Sequence, residues 1–464
     1  MYHEVLPVTA VAAGPALLQD GPPARAAIAG GAAHGALIVV LEPLAVFIIA
    51  LLALYTIRHL VFTLNRLLAR QHHPYLDIVE ADWPHVAVLI PAHNEAAVIA
   101  HVLDALLEAD YPRERLRIVP IDDRSEDATG RILDDYAARH CDLIHPRHRS
   151  EGLSGKAAAL ASVTGELEAE IVLVFDADYL PGPRLIKQLV SPFFDPEVGA
   201  VMGRVVPHNS ACNLLTRLQD LERAGGYQVD QQARMNLGLV PQYGGTVGGV
   251  RLSALREVGG WDVYSLAEDT EMTFRLLLNG WKTVYQNRAE CYEEVVENWP
   301  ARFRQLRRWS RGHNRVLMRY IVPLLASRVV SMREKLDGVA LLGIYVMAPI
   351  LMLGWLIIYL LWLLGDNHPG FFIMLAVVSY GTFGNAASFY QLASAAHLDG
   401  TPAKGRLVPL AILGYLVSTY AVTSGLILEL LAVFRRRHVH WQKTERFRAP
   451  GAGHGEVPID PKEG

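Results

Sequence analysis

Two carboxylates one residue apart, Asp176-Ala177-Asp178, stand directly behind the apolar run Ile171–Phe175. At the end of a buried strand such a pair can point at one hard cation. Mg2+ or Mn2+ takes oxygen ligands of this kind and commonly bridges to substrate phosphates; a solvated acidic turn is the plain alternative. A second pair, Asp122-Asp123, ends the run Leu116–Ile121. Its oxygens can accept hydrogen bonds from nucleoside ring N–H groups and ribose hydroxyls, while Ser125 and Asp127 read as helix caps. Lys156 follows Gly155 at the start of a helical pattern, behind the basic run Arg147-His148-Arg149. A lysine at a helix N-terminus suits a phosphate, although the spacing is not that of a P-loop. In Ala267-Glu268-Asp269, just before another helix, the acids can cap that helix or serve as a general base toward a sugar hydroxyl. Gln305-Leu-Arg-Arg308-Trp309 adds a cation and an indole face on which a sugar ring could stack.

Such groups act together only if the chain brings them together. Val86–Ile90, Leu116–Ile121 and Ile171–Phe175 read as short buried strands, and helical periods lie between them (Val98–Leu107, then Ile132–Tyr136). Strand-helix alternation predicts right-handed βαβ units and an α/β domain with a mostly parallel sheet. Ligands then bind beyond the carboxyl ends of the strands. Those ends carry Pro91-Ala-His-Asn94-Glu95, Asp122-Asp123 and Asp176-Ala-Asp178, so polar groups from three strands meet at one edge.

The 464 residues are 51% hydrophobic and 19% charged, which excludes an ordinary soluble globular protein and a disordered chain. The net charge of −4 shows no nucleic-acid footprint, and three scattered cysteines give neither a disulfide framework nor a metal spacing. The apolar surplus lies in four stretches long enough to cross a bilayer: 36–57, 338–364, 371–396 and 407–434. The third is punctuated by Ser379, Tyr380, Thr382, Asn385, Ser388 and Gln391, and is expected to be re-entrant or to line a polar path. From Arg302 to Lys335 there are ten basic residues and one acid, interleaved with apolar ones, as in interfacial helices beside anionic lipid. The expected layout is a disordered tail (1–35), a membrane helix (36–57), a linker (58–84), a cytoplasmic domain (85–300), basic interfacial helices (301–335), two or three spans (338–434) and a basic cytoplasmic tail (435–464). Arg58, Arg66 and Arg70 put the side after the first span in the cytoplasm.

In this order the motifs resemble the membrane-embedded, inverting family 2 glycosyltransferases, the group of cellulose, chitin-oligosaccharide, poly-N-acetylglucosamine and hyaluronan synthases. The resemblance covers about residues 85–335. It implies a GT-A-like α/β fold, a UDP-sugar donor, Mg2+ or Mn2+, and a bacterial inner-membrane location. It implies that Pro91, Asn94, Glu95, Asp122, Asp123, Lys156, Asp176, Gln305 and Arg308 hold the donor, and that Asp178 and Asp176 hold the metal. Asp269 would be the base, with Trp309, Gly245, Thr246 and Glu268 facing the acceptor; alanine replaces the family's usual threonine at 267. No c-di-GMP-binding domain is expected, given the short segment after the last span. The leading expectation is processive synthesis and export of a β-linked glycan, with a glycan acceptor, membrane lipid and an accessory secretion subunit as partners. The alternatives are transfer of one sugar to a lipid, or a non-catalytic polysaccharide-binding subunit. In all three readings no nucleic-acid partner is implied.

Overall fold

The structure, a computed structural model, describes residues 23–74, 81–365, 369–382 and 388–434. Most of the expected N-terminal tail, part of the linker and the whole basic C-terminal tail lie outside the described residues. The first element is helix α1 (Pro23–Leu68). It begins inside the segment read as a tail and continues past Ile57 into the segment read as a linker. Nothing in His59–Leu68 breaks a helix, and Phe62 and Thr63 of that turn are buried, so packing carries the helix on.

Among the described residues eight strands form one mixed sheet: β1 (Val86–Ala92), β2 (Leu116–Asp123), β3 (Arg147–Arg149), β4 (Ile171–Val174), β5 (Leu180–Pro181), β6 (Val198–Pro207), β7 (Gly248–Arg251) and β8 (Lys282–Glu293). The order is β3-β2-β1-β4-β7-β6-β8-β5. The three strands read from the sequence are the adjacent parallel trio β2-β1-β4, with Val86 in register with both Leu116 and Ile171. That register sets Ala92 opposite Asp122 and Leu89 opposite Val174, so the three polar strand ends meet at one edge. Crossover helices α2 (Ile99–Leu107), α3 (Thr129–Arg139), α4 (Lys156–Thr164) and α5 (Leu185–Val190) join the first strands. Ile99, Leu103 and Leu133 fill one face of the sheet, and Leu160 and Val163 fill the other.

Strand β7 runs antiparallel to both β4 and β6, so the sheet is mostly parallel but mixed. Helices α6 (Leu214–Ala224) and α7 (Gln232–Leu237) are joined by a π-helical segment, Gly225–Gln231. Then come α8 (Leu252–Glu257), α9 (Glu268–Leu278) and α10 (Trp299–Ala326). Expected as part of an interfacial surface, α10 is built into the body along its first part, where Arg302, Leu306, Ser310, His313, Asn314 and Val316 are buried, and exposes Met318, Val322 and Leu325 further on. Its basic residues find acids there, Arg302 pairing with Glu222, and Arg311 and Arg315 with the buried Glu429.

The remaining helices are α11 (Met332–Gly343), α12 (Met347–Leu363), α13 (Pro369–Thr382), α14 (Phe389–Leu398) and α15 (Ala411–Phe434). Two helical stretches, 35–68 and 402–433, are long and apolar enough to cross a membrane; α11 and α12 meet at a bend of 69° and together make a third if counted as one. The third apolar stretch divides into α13, which packs on α1 and α12 through Leu375 and Val378, and α14, which packs through Leu392 on Leu218 and Leu221 of α6. Its second half therefore lies against α6 of the sheet domain.

Candidate active site

Every strand end of the parallel trio opens into one cleft of about 500 Å³. Pro91 and Ala92, the last two residues of β1, stand on its wall. The next turn is held by Asn94, whose backbone sits in the left-handed region (φ 55°) and whose Oδ1 accepts from Glu126 N at 2.7 Å. Asn94 thus fixes the turn around Ser125; it does not line the cleft. Glu95 does, and its N donates to Thr129 Oγ1 at 2.8 Å.

The two acids that end β2 part company. Asp123 lines the cleft, held by Arg149 Nη1 at 2.8 Å and Gly155 N at 3.0 Å. Asp122 faces away, accepting from Ser125 N at 3.1 Å with His148 Nδ1 at 3.2 Å. The two acids therefore do not face the cleft together, because alternate residues of a strand point to opposite faces.

Asp176 and Asp178 follow β4 and both reach the cleft. Lys156, the first residue of α4, puts Nζ 2.6 Å from Asp176 Oδ1 and 4.0 Å from Glu268 Oε1. Burial pulls that ammonium down, but Asp176 and Glu268 outweigh it and hold Lys156 above the ordinary lysine value. Glu268 and Asp269 open α9, where the helix dipole favours acids. Burial pushes Glu268 up to about 7, and burial also raises Asp269 against the bond it accepts from Thr270 N at 2.6 Å. Thr270 is fixed in turn by Gln242 Nε2 at 2.9 Å.

The loop before β7 closes over these acids. Gly245 has φ 74°, and a Cβ there would stand 3.1 Å from Asp269 Cβ, so only glycine lets the backbone pass. Thr246 Oγ1 accepts from Asp176 N at 3.2 Å, tying the loop to the end of β4. From α10, Gln305, Arg308 and Trp309 reach the cleft. Burial lowers Arg308, with Glu268 and Asp176 acting to restore it. The indole of Trp309 is already in contact with cations: Arg223 and Arg302 place Cζ 5.4 and 5.5 Å from its ring centre. Both guanidiniums are pinned by acids, Arg223 on Glu293 and Arg302 on Glu222. The half-exposed indole thus meets the cleft with two guanidiniums beside it.

Among the described residues no group of three or more His, Cys, Asp or Glu side chains is arranged around a common point. Asp176 and Asp178 still fit a hard divalent cation, since such ions are commonly held by one or two carboxylates, with phosphate oxygens and water completing the shell.

Sequence reasoning missed the far end of the cleft, lined by His59 of α1, Tyr227, Asp230, Gln231, Arg234, Tyr345 and Gln391. These come from the long apolar α1, the π-helical segment and α7 after it, the bend between α11 and α12, and α14, where no motif stands out. The signal available was ionisable residues, Arg58 and His59, inside a long apolar helix.

Residues 84–312 match the family model described as glycosyltransferase like family 2. That segment is a family 2 glycosyltransferase domain. A probable glycosyltransferase of Bacillus subtilis, YdaM, is 34% identical over 241 residues, 51% of this chain and 57% of that protein. The beta-monoglucosyldiacylglycerol synthase of Synechocystis is 33% identical over 236 residues, 51% of this chain and 49% of that protein. Its namesake in Nostoc is 31% identical over 269 residues, 58% of this chain and 57% of that protein. The chain thus spans only about half the length of these curated relatives. Among solved structures, the mannosyltransferase PcManGT from Pyrobaculum calidifontis, in complex with GDP-Man and Mn2+, superposes with a TM-score of 0.55 at 20% identity. It covers 84% of this chain and 99% of that one, and it shares the fold.

These relatives overturn the leading expectation of processive glycan synthesis and export. Two of them bear the name of an enzyme that puts one glucose on diacylglycerol.

Proposed function

We propose that the chain transfers a single sugar from a UDP-sugar to the free hydroxyl of a neutral lipid of the diacylglycerol type, with inversion to a β-linkage, at a bacterial inner membrane. One observation carries this reading. The cleft that holds Lys156, Asp176, Asp178 and Asp269 at the sheet edge also reaches His59 on the long apolar helix α1 and Ile344 and Tyr345 at the bend between α11 and α12. A water-soluble donor and a lipid acceptor can meet there, and two of the relatives named above are named for a glucosylated diacylglycerol.

In this reading Asp123 and Glu95 face the nucleoside, and Lys156 and Arg308 face the diphosphate. Asp178 with Asp176 would hold a divalent cation, which neutralises charge on the departing diphosphate. Lys156 already lies against Asp176, so positive charge is in place before the bond breaks, where it stabilises the leaving group most. Asp269 takes the proton of the lipid hydroxyl as its oxygen attacks the anomeric carbon. Thr270 and Gln242 keep that carboxylate aimed. One base and one displacement from an α-linked donor give a β-product. Gly245 and Thr246 set the loop that excludes water around the acids.

The test is the purified chain in detergent with UDP-glucose or UDP-N-acetylglucosamine and dioleoylglycerol, the product read by mass. One added hexose or N-acetylhexosamine per lipid is expected. A polymer, or donor turnover that leaves every lipid unmodified, would overturn the reading.

A further inference from the structure

The far end of the cleft carries a built polar site for which the transfer chemistry has no use. Arg234, of α7, is 2% exposed at its side chain and lines the cleft. Its Nη1 lies 3.1 Å from Asp230 Oδ2 and its Nε donates to Asp337 Oδ2 at 3.2 Å. Its Nη2 is buried and has no hydrogen-bond partner. A buried donor left unpaired costs free energy, so such a group points to something that occupies it. The surroundings say what. Arg58, 3.4 Å from Asp230 and 3.6 Å from Asp337, completes a quartet of two guanidiniums and two carboxylates. Their formal charges cancel, so a buried phosphate would meet no net positive charge there, whereas a neutral acceptor atom would meet a ready donor.

Two neighbouring features match a lipid. His59 Nδ1 lies 2.7 Å from Gln391 Oε1, and Gln391 Nε2 donates to Gly225 O at 3.0 Å, so helices α1 and α14 both close this end around polar groups. Leu341, Ile344 and Tyr345 supply an adjoining wall with apolar surface where α11 bends into α12. The site also connects to the base. Gln231 exchanges two hydrogen bonds with the Gln242 backbone, at 2.8 and 3.0 Å, and Gln242 holds Thr270 beside Asp269. Asp230 and Gln231 sit on the π-helical segment, a local irregularity that is frequent at functional sites.

We propose that this end of the cleft is an ester-recognition subsite, in which Arg234 Nη2 donates to an acyl ester carbonyl of the neutral lipid acceptor while its free hydroxyl lies at Asp269. The inference rests on the lipid-glycosylation reading above and adds the feature of the acceptor that the site selects. A diacylglycerol offers two ester carbonyls next to its hydroxyl; a dialkyl ether of the same chain length offers none, and a polyprenyl phosphate offers a charge instead.

The experiment compares the full chain on 1,2-dioleoyl-sn-glycerol, its dioleyl ether analogue and a polyprenyl phosphate, with the same UDP-sugar. Loss of one charge-assisted hydrogen bond predicts kcat/KM roughly tenfold or more lower for the ether, and no product from the polyprenyl phosphate. Arg234→Lys keeps a cation near Asp230 and Asp337 but removes the fork, and it should bring the ester-to-ether ratio close to one. Equal use of ester and ether by the native chain, efficient glycosylation of the phosphate lipid, or an unchanged ratio in Arg234→Lys would each overturn the subsite. The native comparison decides alone if the variant does not fold. Glycolipid made equally well from both neutral lipids sinks only the ester subsite, whereas no glycolipid from any lipid sinks the parent reading with it.

Discussion

Glu268 and Asp269 are neighbours in sequence, both half-buried in the cleft and both held above the ordinary carboxylate range, Glu268 to about 7. Two carboxylates side by side resist double ionisation, so protons leave the pair in steps. A base must be ionised to work. Activity should therefore fall as pH drops through an acid limb near neutrality and be full on the alkaline side. Glu268→Gln removes one negative charge beside Asp269, so the limb should move to lower pH. Initial rates across about pH 5–9 check this, and a limb that stays in place would separate the pair. Asp269→Asn should lower kcat by roughly 10²-fold or more while UDP binding, read by calorimetry, changes little; retained turnover would remove it as the base. Asp178 is tested differently. Chelator should abolish turnover, and Asp178→Ala should raise the Mg2+ or Mn2+ concentration needed for half-activity; full rate in chelator would end the metal assignment.

At the scale of elements, the site depends on how closely α10 lies against the start of α9. Gly312 is the contact: a Cβ there would stand 3.0 Å from the backbone oxygen of Leu266 and 3.0 Å from Ala267 Cβ. Gly312→Leu should therefore push α10 from the acids and carry Arg308 with it. Overpacking of this kind costs about 1–3 kcal/mol, and kcat should fall more steeply than Tm; a variant with native kcat would show that the approach is not needed. The same elements show what the sequence makes legible. β1, β2 and β4 are readable because uninterrupted apolar runs end in acids, and a parallel trio follows from that alone. β7 is not, because Gly248–Arg251 carries little β-propensity and is held by close packing, with Leu173 Cδ2 2.5 Å from where a Gly249 Cβ would be. Asp123, Lys156, Asp176 and Asp269, singled out from strand ends and helix starts, all line the cleft. Strand alternation turns Asp122 from the cleft, and the arginines beside the Trp309 indole come from α6 and α10, which the motif alone does not show. His59 and Arg234 are brought to the cleft by helix packing, which leaves no spacing to read.

The whole molecule places a catalytic sheet beside helices of membrane-spanning length, and the join between them carries its own surface. Past the buried part of α10, the residues Met318, Val322, Leu325, Val329, Met332 and Leu336 are all exposed. Arg328 and Arg333 are exposed among them, and the Ser331–Glu334 capping box starts α11 within the same stretch. An apolar face with basic residues beside it is what lies in the headgroup region of a bilayer, each cation adding about 1 kcal/mol on an anionic surface. The patch precedes the bend from α11 into α12, and Ile344 and Tyr345 of that bend line the cleft. Seating the patch in the leaflet would thus level the far end of the cleft with the acyl chains, so the acceptor need not leave the membrane to reach Asp269. Anionic lipid should then raise the rate in reconstituted vesicles, measured as kcat/KM for dioleoylglycerol in phosphatidylcholine with and without phosphatidylglycerol. Salt should weaken the effect, because exposed charges are screened within about 10 Å at 0.1 M. The double variant Arg328→Glu, Arg333→Glu should lose the stimulation while keeping its rate in detergent, where no leaflet exists to register against. Stimulation that survives both charge reversals would place the lipid dependence elsewhere on the chain.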